Sequence, residues 1–219
     1  MAALAPSERA AMRALLDGDF ARVTPEAFAA DLDEKEAAVL LYDADGALAG
    51  FSTLLRIETA AATAFFSGDT VVRRDARGAA LLPRLWSRHV FAEAARRPDR
   101  DTVWFLLSSG FRTYRFLPTF FRTFAPAHDR RASDADRALL ADLATARYGD
   151  RYHAATGVVR LAHPTPLRDG ADELARRLSD PHVAFFASAN PGWPRGDELA
   201  CLTRIHPDNL TEAGRRMVA

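Results

Sequence analysis

The chain changes its hydrophobic pattern twice between Thr63 and Ser108, and this change constrains the fold more than any other sequence feature. Thr63 to Val72 is predicted to be a strand, and in Ala80 to Ala95 the apolar residues fall on one helical stripe. Thr102 to Ser108 is continuously apolar, which is typical of a strand buried on both faces of a sheet. A strand, a helix and a buried strand in this order predict a parallel βαβ unit.

The segments before this unit predict two helices followed by a β-hairpin. The second helix is expected to begin at Thr24 and Pro25, because proline is favoured at the first position of a helix. Two extended apolar runs, Ala37 to Tyr42 and Ala47 to Ile57, flank a short turn and predict the hairpin. In the strand that follows, Gly68 indicates a bulge or a close approach of the backbone to another group.

The segments after the unit predict further helices and strands. Ser109 to Phe124 has aromatic residues at helical spacing, although Pro118 must kink or restart that helix. The later predicted elements are a helix at Ser133 to Tyr148, a strand at Thr156 to Leu161, a helix at Gly170 to Leu178, strands at His182 to Ala187 and Glu198 to Ile205, and a final helix from Pro207. We interpret the chain as one α/β domain, with a core over residues 1–125 and a C-terminal extension over residues 126–219 that completes the sheet.

Composition and charge argue against several classes of protein. No run approaches the roughly 20 apolar residues that span a bilayer, and Met1 to Pro6 lacks the pattern of a secretory signal, so we expect a cytoplasmic protein without a membrane partner. The 29 basic and 29 acidic residues are mixed along the chain, which argues against a nucleic-acid partner. Cys201 is interpreted as a buried small hydrophobe. The six histidines show no metal-ligand spacing, so no metal is expected.

The junction between the predicted strand and the predicted helix carries the strongest functional signal. It runs from Val72 through Arg77 and Gly78 to Leu85. The first turn of a helix presents unpaired backbone amides and the positive end of the helix dipole, and both favour a bound phosphate group. Arg77 adds a cation beside that turn. The alternative is an ordinary strand-to-helix turn with an exposed arginine and no ligand.

This junction resembles the signature of the GNAT superfamily of acyltransferases. That signature is a valine-ended strand, a short spacer, and then Arg or Gln-x-x-Gly-x-Gly or Ala on the turn into the following helix. Val72, Arg77, Gly78 and Leu85 stand where the pattern requires them. The order of the predicted elements agrees as well, and the resemblance covers roughly Thr24 to Phe124.

The resemblance implies a GNAT-like mixed central sheet with splayed parallel strands, flanked by helices, that binds an acyl-coenzyme A donor such as acetyl-CoA. Where the family has glycine, this chain has Ala80 and Leu82, and the leucine could crowd the phosphates. The residues implied in donor binding are the oxyanion-forming backbone of the strand, the turn, and two serines beside the pantetheine arm: Thr70, Val71, Val72, Arg77, Gly78, Ala79, Ala80, Leu82, Ser108 and Ser109. The serine pair could equally begin the next helix.

The catalytic candidates are a tyrosine and two carboxylates. By resemblance, Tyr114 is the nearest candidate for the acid that protonates the leaving thiolate, although its place on an apolar stripe fits the core as well. For the general base, Asp69 lies on the strand beside the expected thioester, and Glu58 closes the preceding strand. Asp197 and Glu198 could bind a cationic acceptor or could simply be solvated.

Three functions therefore remain open from the sequence. The first is an acyltransferase that moves an acetyl or larger acyl group from coenzyme A to an amine of a small molecule or peptide. The second is a transferase that takes its acyl group from an acyl carrier protein, for which an exposed basic rim with Arg84 and Arg88 would be expected. The third is a non-catalytic binding protein of the same fold. The C-terminal third is expected to build either the acceptor pocket or a homodimer interface.

Overall fold

The parallel pair predicted from the sequence lies at the centre of one mixed sheet. The computed structural model of the chain describes residues 4–79, 81–130 and 132–219, with the side chains of residues 77–79 outside that description. Within these ranges the sheet has seven strands in the order β1-β2-β3-β4-β7-β6-β5. Only β3 and β4 run parallel among the described pairs. The strands are β1 (Ala37–Tyr42), β2 (Leu48–Glu58), β3 (Thr63–Val72), β4 (Thr102–Ser108), β5 (Tyr152–His153), β6 (Val158–Val159) and β7 (Glu198–Arg204).

Helices cover both faces of this sheet, which confirms the predicted α/β class. They are α1 (Pro6–Asp19), α2 (Pro25–Asp33), α3 (Leu81–Ala95), α4 (Phe111–Tyr114), α5 (Phe116–Phe120), α6 (Asp134–Tyr148), α7 (Ala171–Arg176), α8 (Pro181–Ala189) and α9 (Glu212–Val218). We call the face that packs against α1, α2 and α6 the front face, and the opposite one the back face. None of the described helices combines the length and the apolar character needed to cross a membrane.

Each face buries its own set of alternating strand residues. On the front face, Phe51 and Val71 pack with α1 and α2, while Phe105 packs with α6. On the back face, Trp104 packs against Trp86 of α3, with the two rings tilted and their centroids 4.7 Å apart. Alternation along a strand sends successive side chains to opposite faces, so the position of a residue in its strand determines which layer it joins.

The two parallel strands are paired over only part of their length. Their pairing runs from Thr63 opposite Thr102 to Ser67 opposite Leu106, and no later described residue of β3 pairs with β4. From there β3 stays with β2, whereas β4 continues beside β7 to Ser108. The predicted separation of the parallel strands is therefore present. We call the opening between residues 68–72 of β3 and residues 107–108 of β4 the cleft.

A bulge lies at the point where the strands part. In the pairing of β2 with β3, Thr53 stands opposite both Gly68 and Asp69, because the register shifts there by one residue. A Cβ atom on Gly68 would come within 2.5 Å of both Thr53 Oγ1 and Lys35 Cε. Both alternatives predicted for Gly68, the bulge and the close approach, are thus realised together.

One sequence prediction about the back-face elements was wrong. His182 to Ala187, predicted as a strand, belongs to α8, which starts at Pro181 with the Asp180 carboxylate accepting a hydrogen bond from the His182 amide. A short apolar run does not distinguish a buried strand from a buried helix by its period. The interruption predicted within Ser109 to Phe124 is present, because the segment forms two short helices, α4 and α5, which are followed by extended backbone at Phe121. The break lies at Arg115, and Pro118 is inside α5.

Gly68→Ala should destabilise the protein by about 1–3 kcal/mol, the usual cost of overpacking. The added methyl group would have to displace the buried side chains of Lys35 and Thr53. Gly18→Ala is the matched control, since on α1 nothing lies within 4 Å of the point that its new methyl group would occupy. An alanine in a helix is favoured over glycine by about 0.5–1 kcal/mol. Urea unfolding of both variants measures the two effects, and equal stabilities would contradict the tight packing at Gly68.

Candidate functional site

The front opening of the cleft contains a carboxyl group that is partly shielded from water and has no partner among the described residues. Asp69, in the bulge of β3, is half-buried, and among the described residues no hydrogen bond or ion pair reaches its carboxylate. Burial raises the pKa of Asp69 to about 7, with repulsion from Asp31 adding to the increase and attraction by Lys35 opposing it. A carboxyl group with a pKa near neutrality can accept and return a proton under ordinary conditions.

A second such carboxyl group lies across the end of β4. Glu198 opens β7 one residue beyond the pairing of Ser108 with Leu199, and it is also half-buried. Burial raises the pKa of Glu198 to about 8, and repulsion from Asp69 and then from Asp31 contributes to the increase. The sequence left Glu198 as a cation-binding or a solvated residue, and its half-buried position argues against simple solvation.

The neighbouring charges of the front face are already paired with each other. The Lys35 side chain is fully buried, and its Nζ donates to the Asp31 carboxylate at 2.5 Å and to the Asp31 carbonyl at 2.9 Å. Arg147 lies 2.8 Å from the Glu34 carboxylate and stacks 4.6 Å above the Phe66 ring. These two cations therefore offset Asp31 and Glu34 rather than Asp69 and Glu198.

One polar atom of this region has no hydrogen-bond partner among the described residues. Thr53 is 1% exposed, and its Oγ1 is buried without a hydrogen bond. It faces Gly68 in the bulge, beside the Lys35 stem. A buried hydroxyl without a partner is unfavourable, so such an atom marks a place where a ligand or a water molecule can bind.

The structure does not bring Glu58 to this site. Glu58 pairs with Thr63 at the start of β3, at the opposite end of the strand from Asp69. Its carboxylate accepts from Thr63 and lies 2.5 Å from Arg97 Nη1 and 3.2 Å from Arg100 Nε. The Thr63 hydroxyl and the two guanidinium groups lower the pKa of Glu58, which suits an ion pair and not a general base.

Tyr114 lies in the back-face core. It is fully buried, and its hydroxyl donates to the Pro126 carbonyl at 2.8 Å. Burial raises its pKa well above the usual value. Its ring packs against Phe124 and Phe186, so its position favours the core interpretation over that of an acid for the thiolate.

The two serines at the end of β4 differ in exposure. Ser108 is fully buried, with its Oγ 3.6 Å from the thiol of Cys201, whereas Ser109 is half-buried at the cleft. Cys201 is also fully buried, as expected for a small hydrophobe, and burial raises its pKa to about 12. The Asp197 carboxylate lies 3.6 Å from Arg160 Nε.

The predicted phosphate-binding turn follows β3 as a 3₁₀ helix, Arg74–Ala79, which leads into α3. Ala80 and the side chains of Arg77 and Ala79 lie outside the described residues. Leu82 is 1% exposed and continues the buried stripe of Trp86 and Val90 on α3. The Leu82 side chain is therefore buried on the same side of α3 as Trp86 and Val90. The strand residues Thr70, Val71 and Val72 form the β3 side of the cleft.

A segment of the C-terminal extension crosses the carboxyl ends of β3 and β4, which sequence reasoning missed. The Pro166 carbonyl accepts from the Ala21 amide at 2.8 Å, after the end of α1. Leu167 contacts Gly110, just after β4, and Asp169 forms an ion pair with Arg74, just after β3. The extension therefore borders the cleft as well as supplying β7. Across the described residues, no group of three or more potential ligand side chains is arranged to hold a metal ion.

This chain matches no protein-family model, and no curated protein matches it. Among solved structures it is similar to a GNAT family N-acetyltransferase from Escherichia coli in complex with CoA, with 16% identity, 53% of this chain and 65% of that chain covered, and a TM-score of 0.40. An aminoglycoside 6'-N-acetyltransferase complexed with coenzyme A gives 15% identity, 93% coverage of both chains and a TM-score of 0.43. A probable N-acyltransferase from Enterococcus faecalis, described as a conserved protein of unknown function, gives 14% identity, 76% and 45% coverage, and a TM-score of 0.41. The chain thus covers less than two thirds of the first and the third of these proteins.

The stability of the protein should fall between pH 5 and pH 8 because of the two unpaired carboxyl groups. Their folded pKa values of about 7 and about 8 exceed the unfolded ones. In this window the unfolded chain has therefore already lost protons that the folded chain still holds, and each pH unit lowers the free energy of unfolding. The double variant Asp69→Asn, Glu198→Gln should lose less stability over the window than the unmodified protein does, by about 6 kcal/mol, because each pKa unit of difference between the folded and unfolded chain corresponds to about 1.4 kcal/mol. Urea unfolding at both pH values measures this difference.

The matched control for this prediction is Asp45→Asn, which changes an exposed carboxylate in the hairpin turn. It should follow the pH dependence of the unmodified protein. Parallel curves for the double variant and the unmodified protein would show that the two buried groups titrate as they do in the unfolded chain.

Proposed function

We propose that this protein is an N-acyltransferase, which moves an acyl group from a coenzyme A thioester to an amine. The observation that carries the proposal is the position of Asp69, a half-buried carboxyl with a pKa of about 7, where two parallel strands part. An open cleft beside a proton acceptor suits a reaction in which an ammonium group must lose a proton before it attacks. The resemblance of the junction after β3 to the GNAT signature supports the same donor.

In the proposed reaction, the Asp69 carboxylate takes one proton from the acceptor ammonium group. The nitrogen lone pair then attacks the thioester carbonyl carbon, a C–N bond forms, and the C–S bond breaks. The second proton leaves the nitrogen as the amide forms, and the sulfur is protonated to the thiol. An ordinary thiol has a pKa of about 8.5, so the thiolate is a good leaving group. Tyr114, whose hydroxyl is committed to Pro126, is not required for this step.

In this proposal, backbone groups of the cleft stabilise the oxyanion and bind the phosphates of the donor. Backbone amides of Thr70 to Val72, on the β3 side of the cleft, are assigned to stabilise the oxyanion. The turn at Arg77 and Gly78 and the first turn of α3 are assigned to the phosphates of the donor, because helix N-termini favour anions. Pro83 lacks an amide hydrogen, so this turn offers one donor fewer than a regular helix start. Ser109 is the serine of the pair that remains available to the pantetheine arm.

Asp69→Asn should lower the turnover number with acetyl-coenzyme A and a primary amine by about 100-fold or more, as expected for loss of a general base. In the unmodified protein, turnover should rise with pH through about 7 as Asp69 ionises, and the variant should lose this rise. Free coenzyme A released per unit time is the measurement.

The same assay on Glu58→Gln separates the two carboxylates that the sequence left open. We expect turnover within about threefold of the unmodified protein, because exposed ion pairs have small effects. Calorimetric titration with coenzyme A tests the donor site separately, and Arg77→Ala should weaken that binding. No heat with coenzyme A and no release of thiol with any amine would exclude acyl transfer.

A second candidate, transfer from an acyl carrier protein, is favoured by the surface of α3. Leu81 and Leu85 are 46% and 44% exposed, and Arg84 and Arg88 are exposed on the same helix, which follows the donor turn. Exposed apolar side chains flanked by arginines suit an acidic partner helix. The Arg88 guanidinium contacts the C-terminal carbonyl of Ala219, so Arg84 is the freer of the two cations.

Under this second candidate, an acylated carrier protein should support turnover at concentrations at which acetyl-coenzyme A does not. Arg84→Glu should then raise the KM for the carrier protein about tenfold or more, because a reversed charge repels the partner. The KM for an acyl-coenzyme A, measured with the same variant, is the control. Equal KM changes for both donors would assign Arg84 to the donor turn and not to a protein partner.

A further inference from the structure

We propose that Glu198 forms, together with Asp69, a subsite for a second positive charge on the acceptor, so that diamines and larger polycationic amines are the preferred acceptors. This inference rests on the proposed acyl transfer for the identity of the reacting amine. The binding of a dication by the two carboxylates can be measured without any acyl donor. The two proposals can therefore fail separately.

The charges of the front face show why the subsite calls for a cation. Asp31 and Glu34 are offset by Lys35 and Arg147, at 2.5 Å and 2.8 Å. Asp69 and Glu198 have no ion pair among the described residues, although both are half-buried. Partly buried carboxylates are ordinarily paired, because desolvation without a partner is costly. A cationic ligand would provide the missing partner for both.

The sheet places the two carboxyl groups on either side of one strand end. β3 and β7 are both neighbours of β4, and β4 stops at Ser108. The pairing of β3 with β4 ends at Ser67, two residues before Asp69, and the pairing of β7 with β4 ends at Leu199, next to Glu198. Repulsion from Asp69 contributes to the raised pKa of Glu198. Strands two places apart in a sheet are about 10 Å apart. A flexible diamine can reach across such a gap, with one nitrogen at each carboxylate.

The unpaired hydroxyl of Thr53 is an independent sign of a ligand at this place. Thr53 is 1% exposed, and its Oγ1 has no hydrogen-bond partner among the described residues. It is directed at Gly68, next to Asp69, and lies beside the Lys35 stem in the space that a side chain at residue 68 would occupy. An ammonium group carries more than one hydrogen, so it can donate to the Asp69 carboxylate and to this hydroxyl together.

The acidic groups around the two carboxyls favour their protonated forms in the free protein. Asp31 and Asp69 raise the pKa of Glu198, and Lys35 alone opposes this effect on Asp69. Tyr148, buried at the end of α6, interacts with Glu198 and stays protonated. Glu198 therefore binds a proton more tightly than an ordinary glutamate does, and an ammonium group beside it should favour the release of that proton.

The test is isothermal titration calorimetry of the full chain at pH 7 without acyl donor, with 1,4-diaminobutane and n-butylamine as probes. The diamine should bind at least about tenfold more tightly than the monoamine, as expected for one additional charge-assisted contact. Repeating the titration in buffers of different ionisation enthalpy should show release of roughly one proton per diamine. Both readouts use the unmodified protein, so they do not depend on the folding of a variant.

Glu198→Gln, which preserves the shape of the side chain, should abolish the preference for the diamine and most of the proton release. Asp45→Asn, at the exposed hairpin turn, is the matched control and should keep both. Equal affinities for the two amines, or a preference that survives Glu198→Gln, would overturn the subsite. If monoamines support release of coenzyme A without any diamine preference, acyl transfer stands and the subsite falls. Tight diamine binding with proton release, but no thiol release with any acceptor, leaves the subsite and removes acyl transfer.

Discussion

The site depends on the main-chain pairing between β3 and β4 ending at Ser67 and Leu106. Past that point β3 stays with β2 and carries the bulge of Gly68 and Asp69 opposite Thr53. An extra residue in a bulge leaves backbone groups out of the ladder and redirects a side chain. Here it redirects a carboxylate to the front face at the place where the sheet opens. Glycine is needed in the bulge because Lys35 and Thr53 fill the space beside it.

The electrostatics of the site follow from how this opening is surrounded. The end of α2 brings Asp31 and Lys35 over the bulge, and the end of α6 brings Arg147 and Tyr148 over the start of β7. Each cation is held by an acid from α2 or its C-terminal end, and Arg147 also lies over an aromatic ring. The surrounding groups therefore partly shield Asp69 and Glu198 from water without forming ion pairs with them. This combination raises carboxyl pKa values, and it is common where proton transfer or cation binding takes place.

Local sequence patterns were sufficient for most of the elements, and they also selected one of the two carboxyl groups at the opening. Period, proline and glycine signals predicted α1, α2, β1 to β4 and α6, because each signal acts within a few residues. The Thr24 and Ser133 side chains accept from backbone amides as N-caps, and Gly149, with a φ of 59°, ends α6. Asp69 was found as a candidate base because it lies in the strand that the junction follows.

The sequence offered Glu198 as a cation-binding or a solvated residue, but its position beside Asp69 could not be predicted locally. Glu198 lies far from Asp69 in sequence, and only the strand order β3-β4-β7 brings them to one opening. No pattern within β7 reveals which strand will be its neighbour. Glu58 looked equivalent to Asp69 in sequence, but the antiparallel pairing of β2 with β3 carries it to the other end of the sheet, among arginines. For α8, the Asp180 and Pro181 start signal was outweighed by an apolar run of ambiguous period.

Lys35, the single lysine of the chain, is buried completely and is bound by Asp31. No lysine side chain is therefore presented to the surroundings. Thioesters and other activated acyl compounds modify exposed lysine amines spontaneously, in proportion to the neutral, accessible fraction of the amine. Under the proposed acyl transfer, this burial would keep the lysine from being acylated by the donor. Amine-directed labels and crosslinkers will for the same reason find no lysine to attach to while the fold is intact.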